Sequence, residues 1–176
     1  MRKVKTADLF GHNYRMTQLS AASAFEQMYL ASGGDDLLPL VSTVEFINAE
    51  NGAAIRLDNA AAINANVKDR IDVMKPRLVL SALYQAVHEF NFGFLENRKA
   101  VKVPRHLTSD LDVEVRSVEG ESPILATLIA EGKATLRELQ EFYSLEDAFL
   151  IYDVLFIEKL NNAEIQHAAM KSAKKG

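Results

Sequence analysis

The chain has 176 residues, no cysteine, 48% hydrophobic and 25% charged residues, and a formal net charge of −4 at neutral pH. That length can bury a substantial core without staples, and the missing cysteine excludes disulfides, thiolate metal sites and cysteine nucleophiles, which fits a reducing cytoplasm. The acidic balance supplies no positive field for nucleic acid, and with neither an apolar run near the roughly 20 residues that span a bilayer nor a signal segment, no membrane insertion or export is expected.

In chain order, residues 4–9 and 14–16 flank a turn at Gly11 and read as a short hairpin or extended arm. Ser20, Ala21, Ala24, Phe25, Met28, Tyr29 and Ala31 follow a helical spacing that Gly33-Gly34 ends. Asp35-Asp36 opens a short helix through Leu37, Leu38 and Leu40, with Pro39 in its first turn. Val44-Glu45-Phe46-Ile47 and Ala54-Ile55-Arg56-Leu57 are β-like runs around an Asn51-Gly52 turn signal, a second hairpin. Asp58-Asn59 caps an alanine-rich helix reaching about Ile71, weakly amphipathic through Ala60, Ile63 and Val67.

Pro76 then starts the strongest helix of the first half, carrying Leu78, Val79, Leu80, Leu83, Ala86, Val87 and Phe90 into Asn91-Phe92-Gly93-Phe94-Leu95, where the glycine lets the chain turn while staying buried. Residues 104–122 read as a linker that contains a strand-like alternation, Leu111, Val113 and Val115. A helix follows from Ile124 to Glu131 and breaks at Gly132. Thr135-Leu136-Arg137-Glu138 and Ser144-Leu145-Glu146-Asp147 are successive capping boxes, so two helices begin here around a tight corner near Phe142 and Tyr143.

The second of these helices carries a stripe of Leu145, Ala148, Phe149, Tyr152, Leu155, Phe156 and Leu160, with Ile151, Val154 and Ile157 off its centre. That is more apolar surface than one packing face uses, and the remainder calls for another helix or a partner. Residues 168–176 are polar and lysine-rich and are expected to fray. The expected fold is α+β and mainly helical, with β-hairpin elements and a helical core in residues 1–103 and a helical subdomain in residues 123–176.

Catalysis needs convergent groups, and few are offered. His12, His88, His106 and His167 lack the spacing that puts two ligands on one helical face, so no metal is assigned. His88 beside Glu89 reads as a packed helix residue. The eight scattered glycines form no phosphate loop or dinucleotide fingerprint, and no serine sits in a nucleophile elbow. A binding protein that needs no cofactor, rather than an enzyme, is the better class.

Phe90-Asn91-Phe92-Gly93-Phe94-Leu95, then Leu128-Ile129-Ala130-Glu131-Gly132-Lys133-Ala134-Thr135, Glu138-Leu139 and Tyr143-Ser144-Leu145-Glu146-Asp147-Ala148, resemble the tail assembly chaperones encoded in tailed-bacteriophage tail-gene clusters. The resemblance is one of pattern over roughly the last hundred residues. It implies a protein of the infected host's cytoplasm that coats the aggregation-prone tape measure protein until tail tube subunits polymerise around it. It also implies two lengths made by ribosomal frameshifting, for which a slippery run coding Lys174-Lys175 is a candidate. Ile151, Val154, Ile157 and Phe156 are the expected contact residues, by helix-in-groove packing. The competing readings are a structural tail or connector component and a small phage protein that binds a host target; a homodimer through the long helix would cover the same residues.

Overall fold

The structure, a computed structural model, describes residues 1–30, 38–71, 73–107 and 122–173. It has the expected α+β, mainly helical architecture, with an antiparallel sheet in the first third of the chain. Strands β1 (Val4–Leu9) and β2 (His12–Thr17) are joined through Phe10 and Gly11, at φ 53° and 80°. Positive φ at both central residues matches the right-handed twist of a hairpin. Strands β3 (Val44–Ile47) and β4 (Ala54–Arg56) extend the sheet in the order β1-β2-β3-β4. Tyr14 lies opposite Phe46 and Met16 opposite Val44, and all four are buried, so the alternate residues of β2 and β3 make one inner face.

Helices α1 (Ala21–Leu30) and α2 (Leu38–Val41) lie between the two hairpins in the chain, and α3 (Ala60–Asn66) follows the second. Asn59 caps α3 as expected, accepting the Ala62 N–H at 2.9 Å. The helix ends at Asn66, short of Ile71. The Asn66 amide donates back to the Ala62 carbonyl, and the Asp69 carboxylate takes the N–H groups of Ile71, Val73 and Met74 that a longer helix would have used. Helix α4 (Pro76–Phe92) starts at its proline and runs almost directly into α5 (Phe94–Asn97). Gly93 between them keeps a helical φ of −58°, so the chain continues where a turn was expected. Its role is close approach: a Cβ there would come within 2.6 Å of the Glu89 carbonyl oxygen.

After a 3-10 turn at Arg105–Leu107 come α6 (Pro123–Ala130), α7 (Leu136–Glu141) and α8 (Leu145–Ala173). Helix α8 continues through residues expected to fray, because Ala168, Ala169, Met170 and Lys171 are strong helix formers. Gly33-Gly34, Asp35-Asp36, the alternation at Leu111, Val113 and Val115, and Lys174-Lys175 lie outside the described residues. The chain before residue 104 and the chain after residue 122 meet in space. One apolar cluster runs from Tyr14, Met16 and Val44 through Val79, Leu83 and Val87 to Leu128, Leu139, Leu145 and Leu155. Backbone bonds cross between the halves as well, from Arg2 N–H to the Phe142 carbonyl at 3.1 Å and from Ala21 N–H to the Tyr143 carbonyl at 2.8 Å.

Both capping boxes form. The Glu138 carboxylate accepts the Thr135 N–H and hydroxyl at 2.8 Å each, and Thr135 Oγ1 accepts the Glu138 N–H at 3.2 Å. Asp147 does the same for Ser144, at 2.9 Å and 2.7 Å, and also takes the Met1 ammonium at 2.6 Å. The Thr135 N–H, then its hydroxyl, hold the Glu138 carboxyl below its ordinary value. Burial pushes the Asp147 carboxyl up, but the donors around it together bring it down.

A carboxyl lowered by folding stabilises the native state above the unfolded carboxylate range, about pH 4, and that contribution disappears as pH falls through the folded value. The thermal midpoint is therefore expected to drop as pH is lowered below about 4, and to drop less in Glu138→Gln/Asp147→Asn. Parallel melting profiles for the two proteins over that range would refute the assignment.

Candidate functional site

Helix α8 has 29 residues and spans about 44 Å at about 1.5 Å per residue. Leu145, Ala148, Phe149 and Leu155 are buried on one side of it. Leu150, Val154, Ile157 and Ile165 are 63%, 61%, 45% and 67% exposed. At about 100° per residue these four fall within about 80° of arc, on the side opposite the buried stripe. The helix is thus apolar on two opposed faces, of which the fold uses one.

The structure divides the four residues singled out from sequence. Val154 and Ile157 lie on the outer face. Ile151 is half-buried and packs against the core, one residue step round from the exposed arc. Phe156 is half-buried and stacked on Tyr152, their ring centroids 6.1 Å apart at an interplanar angle of 13°. Leu150 and Ile165, which complete the outer stripe, were not singled out from the sequence. Counting the phase of the helix from the buried Leu145, Ala148 and Phe149 would have found both.

Acidic residues flank the stripe, and several of them meet basic side chains from elsewhere in the chain. Arg98 binds Asp153 through two nitrogens, Lys3 lies 2.6 Å from Glu146, and Lys133 is 4.0 Å from Glu158. His106 Nε2 is 2.9 Å from Glu164, and Lys159 pairs with Glu131. Exposed pairs of this kind contribute little stability individually. From Ile165 to Ala173 every residue of α8 is exposed, so its last turns stand clear of the core.

Such a surface can bind another apolar helix or groove and has no chemistry of its own. Among the described residues no group of three or more His, Asp or Glu side chains is placed to hold a metal ion, and no helix is long and apolar enough to cross a membrane. No family model, curated protein or solved structure matches this chain.

Proposed function

We propose that the protein is a non-enzymatic tail assembly chaperone of a tailed bacteriophage, acting in the infected host's cytoplasm. It binds and solubilises the tape measure protein and helps recruit tail tube subunits. The single observation that carries this reading is the exposed apolar face of α8: Leu150, Val154, Ile157 and Ile165 recur at the spacing a helical partner's stripe would meet. The resemblance of residues 90–95 and 128–148 to that family supplies the identity of the partner. The net charge of −4 favours solubility of a complex whose partner is apolar.

The test is co-expression with the tape measure protein of the same tail-gene cluster. Wild type is expected to keep that protein soluble and to co-purify with it; Val154→Asp/Ile157→Asp is expected to lose both. Because both side chains face solvent, each substitution should change unfolding free energy by only about 0.5 kcal/mol. Equal recovery of the partner with a folded double variant would refute this surface. A tape measure protein that stays insoluble beside wild type would refute the chaperone reading.

A further inference from the structure

A second site lies away from the outer face of α8, where the chain start, α1, the α2–β3 connection, β4 and α7 meet around a cleft of about 320 Å³. Arg2 and Arg56 both line it. Arg2 Nε donates to the Gln18 carbonyl at 2.6 Å and Arg56 Nε to the Ser42 carbonyl at 2.9 Å. Each guanidinium is thereby held in place while its terminal nitrogens have no acceptor among the described residues. Gln18, which anchors Arg2, is itself buried and tied to Lys3 and to the Phe90 carbonyl, at 2.9 Å and 3.2 Å.

The two cations act on each other. Burial lowers the Arg2 pKa first, and the charge of Arg56 lowers it further. Glu26 also lines the cleft, so two cations and one carboxylate leave its lining with a net positive charge. Two like charges facing one concavity are unfavourable unless something of opposite charge sits between them.

Of the hydroxyls around the cleft, Ser42 and Thr43 give their protons to the Pro39 and Leu40 carbonyls, at 2.8 Å each. The Ser20 and Ser23 hydroxyls share a hydrogen bond at 2.9 Å, and both residues line the cleft. Ser20 also caps α1, accepting the Ser23 N–H at 3.2 Å, so the positive end of a ten-residue helix adds to the same field.

We infer that this cleft binds a small phosphate monoester, its phosphate held between the Arg2 and Arg56 guanidinium forks and the Ser23 hydroxyl. Planar guanidinium forks pair with two phosphate oxygens at once, which an ammonium group does not do. The cleft is several times larger than one phosphate group, which leaves room for the organic part of an ester. Gln27 and Gln140 on its wall can both donate and accept hydrogen bonds there.

Inorganic phosphate is the probe, titrated against the full chain at constant ionic strength with chloride as the balance and followed by amide NMR shifts. Wild type is expected to give saturable shifts centred on Ser20, Ser23 and Arg56, and Arg56→Gln to weaken binding by about tenfold. Lys159→Gln removes one positive charge from α8, where Lys159 pairs with Glu131, and should leave binding unchanged. Should Arg56→Gln disturb the fold, Arg56→Lys keeps the charge and loses the fork: weaker binding sustains the proposal and equal binding overturns it. Absence of saturable shifts in wild type, or equal weakening by Lys159→Gln, would overturn it too.

Discussion

Phe149→Ala is expected to lower the free energy of unfolding by about 3–5 kcal/mol, read from urea or thermal denaturation. Phe149 projects from the first turns of α8 and is 8% exposed. Its ring centroid is 5.6 Å from that of Phe25 on α1 and 5.8 Å from that of Phe94 on α5, so one side chain joins three helices. The Arg98 guanidinium carbon lies 4.5 Å from the same ring centroid, and Arg98 binds Asp153 one turn further along α8. Truncation removes the ring packing, leaves a cavity where three rigid elements cannot close together, and takes the aromatic face from beneath a cation. Phe149→Leu keeps most of the volume and should cost less than half as much. An alanine variant that loses under about 1 kcal/mol would mean that the junction collapses freely, contrary to the packing described.

Asn91→Leu should cost about 1–3 kcal/mol although the replacement is nearly isosteric and the site is buried. Asn91 Oδ1 accepts the Leu19 N–H at 2.7 Å, and its Nδ2 donates to the Val87 carbonyl one turn back in α4 at 2.9 Å. Leu19 sits between β2 and α1, where its amide belongs to neither a ladder nor a helix. With leucine at 91 that amide stays buried without an acceptor, and the desolvation cost is not recovered. Hydrogen exchange gives an independent readout: the Leu19 amide should exchange much faster in the variant relative to amides within α8. If protection of Leu19 were unchanged, another acceptor would have to exist and the assignment would fail.

These two residues mark the limit of what the sequence discloses. The capping boxes, Pro76 at the head of α4 and the two hairpins are local patterns, set by residues three or four apart, by the two-residue turn at Phe10-Gly11 and by the six-residue loop that holds Asn51-Gly52. Asn91 and Leu19 are 72 positions apart, and no local pattern brings them together. Asp69 likewise ended α3 early by drawing amides that follow it, a competition invisible to hydrophobic periodicity. For α8 the excess of apolar residues was legible and its direction was not. Ile151 and Leu150 differ by one helical step, and only the rotation set by Phe149 and Leu155 decides which of them faces outward.

The Arg2–Arg56 cleft left no motif, since its two arginines are 54 positions apart and are held by the Gln18 and Ser42 carbonyls, which no local pattern pairs.

The continuity of the apolar cluster across both halves of the chain also determines how binding at one place is felt at another. When sheet and long helix share a core, neither can open globally without the other, and they draw on one unfolding equilibrium. A ligand held at the sheet side and a protein clasped along α8 would each slow global opening of every deeply protected amide in the molecule. Each would raise the same melting temperature by mass action, with no change of shape passing between the two sites.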